Sequence, residues 1–207
     1  MELSPTQHDA LTELINIGYG RAAGALSELT GYRITLEVPQ VSMHEISEIA
    51  PMLDQVIRGE VASVNQMFSG PISGTAMLLL DEHSAVMLSR LLTDDRNASG
   101  TNLDAGAREI ITEVGNILLN ACLGVFGNLL QVHVSFAVPR LHVENVQHVL
   151  ESINVETVEK LRYGLMIHTR FRLRASDVTG YLVIILGITS LDRLLRELEH
   201  WENRQAT

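Results

Sequence analysis

Two long segments space their hydrophobic residues for one helix face. In the first, Leu11, Leu14, Ile15, Gly18, Ala22, Ala25, Leu26 and Leu29 gather on one side when the chain turns ~100° per residue. In the second, Ile111, Val114, Gly115, Leu118, Cys122, Val125 and Leu129 do the same. Helices are therefore expected near residues 6–30 and 104–129. Elsewhere the period changes. "GTAMLLL" and "YLVIILG" are continuously apolar and read as central strands covered on both faces. "RITLEVPQV" and "VHVSFAVPRL" are β-branched runs, each interrupted by a proline that cannot donate to a ladder, at Pro39 and Pro139. Strand edges or bulges are expected there.

The polar positions repeat as well. Opposite the apolar side of the first helix, Asp9, Glu13 and Asn16 fall within about 40° of one line. Glu109, Glu113 and Asn116 form the same stripe on the second. Each Asn is followed, after 22 intervening residues, by Pro39 or Pro139, and each proline follows a valine, Val38 or Val138. The offset between copies is 100, growing to 106 where Gly74 matches Gly180. A single Glu-x2-Asn-x22-Pro is expected by chance in roughly one chain in forty of this length, and a doubled one far less often. Each half reads helix, strand, short helix, strand, strand, helix. The expectation is a mixed α/β (α+β) fold over residues 1–207 as a single domain. Two pseudo-symmetric repeats, about 6–95 and 103–204, would share one sheet, joined through the turn-rich "TDDRNASGTNLD".

Exposed acids and amides are what any amphipathic helix shows, and a duplicated fold duplicates its surface. Here, however, neighbouring polar positions differ between copies: His8 stands where Arg108 does, and Arg21 where Ala121 does. The Glu and Asn are retained against that background. At i and i+3 on an exposed face they can reach one external target together. Gly20 lies one turn beyond Asn16 on the same stripe, and a missing side chain there lets a partner approach the amide. The run Gly18-x-Gly20-x-x-Ala23 mimics a dinucleotide fingerprint, but the residues before it have helical spacing and the second copy reads "GNILLN".

Composition narrows the classes. Hydrophobic residues make up 46%, enough for a packed core. The net charge of −10, with no Lys/Arg cluster, argues against nucleic acid. No apolar run approaches the ~20 residues of a membrane span, and no secretory leader is read at the start. Cys122 alone cannot form an internal disulfide and reads as a small buried hydrophobe. The eight histidines are scattered without metal-ligand spacing, so no metal is expected on this chain. A cytoplasmic location is the default.

The doubled motif resembles the CheC/CheX/FliY family of response-regulator phosphatases, whose signature is Asp/Ser-x3-Glu-x2-Asn-x(21–22)-Pro. The first copy, Asp9-x3-Glu13-x2-Asn16-x22-Pro39, matches throughout. The second has Glu109 in place of Asp or Ser, then Glu113, Asn116 and Pro139. Two copies in 207 residues are expected of CheC; CheX-type proteins carry one working copy, and FliY-type proteins continue into a flagellar switch domain. The resemblance implies hydrolysis of the aspartyl phosphate on a CheY-like response regulator in chemotaxis. Asn16 and Asn116 would orient water, while Glu13 and Glu113 would pair with the receiver's Lys. Asp9, Gly20 and Glu109 would assist docking, and Pro39 and Pro139 would shape the fold. It further implies that Mg²⁺ is supplied by the receiver, and it suggests CheD as a partner. The alternative is a non-catalytic receiver-binding adaptor related to the FliM middle domain.

Overall fold

The structure, a computed structural model, describes residues 3–37, 39–57, 59–93, 102–145, 147–149, 151, 161–173 and 176–205. Val38 and most of the expected linker, residues 94–101, lie outside the described residues.

The first half runs α1 (Pro5–Thr30), β1 (Ile34–Leu36), β2 (Gln40–Glu45), α2 (Ile46–Val56), β3 (Val61–Ser69), β4 (Gly74–Asp81) and α3 (Glu82–Thr93). The second runs α4 (Ala105–Leu130), β5 (Ser135–Phe136), β6 (Arg140–Glu144), β7 (Leu161–Leu173), β8 (Ser176–Gly187) and α5 (Ile188–Gln205). Each long helix has a defined start. Ser4 caps α1 in a reciprocal box with Gln7, and Pro5 follows where its missing N–H costs nothing. The Asp104 carboxylate accepts from Ala107 N–H at the start of α4. α1 ends on Gly31 at φ 71°, whereas its counterpart after α4 is Gln131, held left-handed at φ 52°.

Both prolines break a strand, as the missing amide requires. Pro39 separates β1 from β2, and Pro139 separates β5 from β6. Among the described residues the eight strands form one antiparallel sheet in the order β1-β7-β8-β4-β3-β5, with β2 also on β7 and β6 also on β3. The halves therefore exchange their leading strands: β1 and β2 pair with β7 of the other repeat, while β5 and β6 pair with β3. The two apolar strands β4 and β8 meet at the centre. They approach closely at both repeat glycines. A Cβ on Gly74 would overlap the Ile185 carbonyl oxygen, and one on Gly180 would lie 2.8 Å from that of Leu79.

One face of the sheet packs against α1, α3, α4 and α5, burying Ala76, Leu78, Leu80, Leu182, Ile184 and Leu186. The other face carries α2, with Ile49 and Leu53 over Met77, Leu79, Val183 and Ile185. α1 and α4 lie side by side, and a Cβ on Gly18 would come within 3.0 Å of the Cys122 Cα. Gly115 is seated on β3, where a Cβ would meet Val64 Cγ1 at 2.5 Å. Tyr19, also buried, pins α1 to β7 through a 2.5 Å hydrogen bond between its hydroxyl and that of Thr169.

One expectation needs correction. Ala25 and Leu29 do not face the core: both are exposed, Leu29 by 64%, because α1 buries nothing beyond Leu26. α4 stays buried as far as Leu129 and Leu130. In addition, α4 is long and apolar enough to cross a membrane by length and composition, although no unbroken apolar run in the sequence suggests it. Over half of its most apolar stretch, 56%, is buried inside the protein, which is the position of a core helix.

Candidate functional site

Both Glu-x-x-Asn pairs lie on the helices that flank each other over one sheet face. On α1, Asp9, Glu13 and Gly20 are exposed and Asn16 is half-buried. On α4, Glu109 and Glu113 are exposed and Asn116 is half-buried. The apolar residues beneath them (Leu14, Ile15 and Gly18 on α1; Val114, Gly115 and Leu118 on α4) are buried. Burial of that face fixes the rotation of each helix, so the Glu must project into solvent while the Asn sits at the margin.

The two copies differ in what surrounds the amide. Among the described residues, the side chains of Glu13 and Asn16 have no hydrogen-bond partner within the chain. Nearby, His8 reaches the Val41 carbonyl through Nε2 at 3.1 Å and Asp9 through Nδ1 at 3.5 Å. On α4 the amide is engaged: Asn116 Nδ2 donates to Glu113 Oε2 at 3.3 Å, and Asn120 Nδ2 donates to Asn116 Oδ1 at 2.7 Å. Asn120 in turn accepts from Gln66 Nε2 at 3.1 Å. Neither Asn120 nor Gln66 was singled out by the repeat. Gly20 occupies the position matching Asn120, so comparing the copies hides it; the i, i+4 spacing of Asn116 and Asn120 is the signal that could have found it.

Gly20 is open on the protein's own side: a Cβ there would meet nothing within 4 Å. Pro39 is buried and Pro139 half-buried, both at strand breaks and away from the helix stripes in sequence. Cys122, fully buried between the helices, has its thiol pushed well above the ordinary range by desolvation, so it is not a thiolate nucleophile. Among the described residues no three His, Cys, Asp or Glu side chains converge as a metal site. A shallow cavity of about 370 Å³ lies on the α2 face, lined by Val41, Met52, Val56, Met166, His168 and Tyr181. None of its lining residues belongs to the motif helices.

The architecture and the first motif helix both have known counterparts. Residues 7–43, spanning α1 to β2, match the model of the CheC-like family. The CheY-P phosphatase CheC of Bacillus subtilis (strain 168) is 23% identical over 192 residues, covering 91% of each chain. The crystal structure of Thermotoga maritima FliY matches with a TM-score of 0.77 over 97% of this chain and 99% of that one, at 18% identity. The FliM middle domain from H. pylori matches with a TM-score of 0.62 over 94% of this chain and 99% of that one, at 12% identity. The mixed helix and antiparallel-sheet architecture is thus the one these proteins share. The chain thus resembles CheC-like proteins in the sequence of its first motif helix, the B. subtilis CheC along most of its length, and FliY in its fold.

Proposed function

We propose that this chain hydrolyses the aspartyl phosphate of a CheY-like response regulator in chemotaxis signalling, in the cytoplasm. The observation that carries the reading is the Glu-x-x-Asn pair presented to solvent on both long helices. An aspartyl phosphate is an acyl phosphate and already reactive, and the Mg²⁺ and Lys around it belong to the receiver. What remains is to place a water in line with the bond to the aspartyl oxygen. The water oxygen forms the new bond to phosphorus, the aspartyl oxygen leaves as a carboxylate, and the water's protons go to the released phosphate. An Asn amide both donates and accepts, so Asn16 and Asn116 orient that water without acting as bases. Glu13 and Glu113 dock on the receiver's Lys, with Asp9, Gly20 and Glu109 at the contact. The name of the B. subtilis relative supports the same activity. CheD is a partner suggested by the family resemblance alone.

A receiver-binding adaptor without hydrolysis is the second reading, favoured by the FliM-like architecture. One measurement separates them: phosphate release from a CheY of the same organism charged with acetyl phosphate, with the parent protein and with Asn16→Ala and Asn116→Ala singly and together. Two independent sites leave each single variant with residual turnover and the double variant with almost none. A double variant as fast as the parent, or a parent that binds without accelerating release, favours the adaptor.

A further inference from the structure

The Asn of the second motif copy is wired to the sheet through side chains, and the Asn of the first is not. Gln66 on β3 is only 2% exposed, and its Nε2 makes two hydrogen bonds: one to the Ala137 carbonyl at 3.0 Å, the other to Asn120 Oδ1 at 3.1 Å. Ala137 is itself held to β3, its N–H donating to the Met67 carbonyl at 2.9 Å. A backbone carbonyl only accepts. It therefore forces the NH₂ of Gln66 toward itself and toward Asn120, which must answer with its oxygen. Asn120 then turns its NH₂ to Asn116, which must answer with Oδ1 at 2.7 Å. That leaves the Asn116 NH₂ facing the Glu113 carboxylate. The polarity of three amides is set from one end by a main-chain oxygen.

We propose that Asn120 is a positioning residue of the second site, fixing the rotamer and the amide orientation of Asn116, with Gln66 as its anchor. The inference rests on the reading of Asn116 as the group that orients water. An amide has two donor hydrogens and two acceptor lone pairs. Asn116 has one of each committed within the chain, which leaves one donor and one acceptor for a single water, already aimed. The arrangement carries a cost that filling space alone would not require: Gln66 Oε1 is buried with no partner. It also connects the motif's distant proline to its amide, because Ala137 lies in the break between β5 and β6 that Pro139 enforces. In the first copy Gly20 stands at the matching position and Asn16 has no holder. The two sites thus share residues but differ in preorganisation: the second is set before the receiver arrives, and the first is ordered by it.

The test uses the full chain carrying Asn16→Ala, so that only the second site turns over. Receiver-phosphate decay is measured across receiver concentrations for added Asn120→Ala, Asn120→Asp and Asn116→Ala. Asn120→Asp keeps the shape and the acceptor for Gln66 but has no donor for Asn116, and its unfolding midpoint reports that the fold is intact. Expected is a fall in kcat of about tenfold for both Asn120 variants, since loss of orientation acts on the positioned state, with KM changed less than about twofold. If Asn120→Asp turns over like its parent while Asn116→Ala does not, the positioning role is overturned. If Asn116→Ala itself turns over like the parent, the phosphatase reading fails and the role of Asn120 fails with it.

Discussion

Met77 and Val183 pair directly across the centre of the sheet, and each is the other's counterpart in the repeat, three residues after Gly74 and Gly180. The pseudo-twofold axis therefore passes between them. Around it the contacts come in matched sets: Gly74 closes on Ile185 as Gly180 closes on Leu79. A methyl group at either glycine pushes against a ladder carbonyl that cannot move without opening the β4–β8 pair. Gly74→Ala and Gly180→Ala are each expected to destabilise the protein by about 1–3 kcal/mol, Gly74→Ala the more, because its added carbon overlaps the oxygen more deeply. Urea unfolding midpoints with unchanged slopes measure this.

Gly20 offers the opposite case. It lies mid-helix with open space above it, so the fold has no need of a glycine there. Gly20→Gln is expected to stabilise the chain by about 0.5–1 kcal/mol while slowing receiver dephosphorylation at the first site, where the new side chain stands beside Asn16. Gly24, equally open one turn on, is the control: Gly24→Gln is expected to stabilise without slowing. Thermal unfolding and phosphate release in an Asn116→Ala background separate the two effects. Equal rates for the two variants would remove Gly20 from the docking surface.

If Glu13 and Glu113 dock on the receiver, as proposed, their loss is expected to act on binding as well as on turnover. Glu13→Ala in an Asn116→Ala background, and Glu113→Ala in an Asn16→Ala background, are expected to raise KM for the receiver at least about tenfold. This corresponds to one charge-assisted contact of roughly 1.5–3 kcal/mol. Raising salt narrows the gap between parent and variant, since an exposed ion pair is screened. A variant that loses kcat at unchanged KM assigns the Glu to the chemistry instead.

Alkaline pH is expected to weaken the fold through two groups between the long helices and the sheet. Burial pushes the Tyr19 hydroxyl and the Cys122 thiol well above their ordinary ranges. In the unfolded chain they ionise near about pH 10 and 8.5. Below about pH 8.5 both states keep both protons, and these groups add no pH dependence. Above it the unfolded chain sheds protons that the native state retains, so stability falls as pH rises. Cys122→Ala moves the onset upward, and Tyr19→Phe flattens the fall above about pH 10. Tyr19→Phe also lowers the neutral-pH plateau by losing the bond to Thr169. Urea titrations at pH 7, 9 and 10.5 read all three effects.

The helices and the central strands were legible in the sequence because each carries its own period: 3.6 around Leu11 to Leu26, and unbroken apolarity in "GTAMLLL". The proline breaks were legible because a missing amide acts locally. What failed at Ala25 and Leu29 was the assumption that a periodic face is covered along its whole length; how far the neighbouring elements extend is a property of the assembly. The exchange of leading strands between the halves was invisible for a related reason, since no local pattern says which distant edge a strand joins. At the site, the exposed Glu positions followed from helix phase alone. The relay through Asn120 and Gln66 did not, because it differs between the copies and joins a helix to a strand far away in sequence.

The exchanged strands also bear on how the chain emerges from a ribosome. Ile34 has no ladder partner until Leu173 has been synthesised, and Val41 waits for Ile167. The first half can form α1 and the β3–β4 hairpin on its own, but it must hold β1 and β2 unpaired until nearly the whole chain is outside the tunnel. Completion of this side of the sheet is then a late event built on contacts distant in sequence, which topology makes slow.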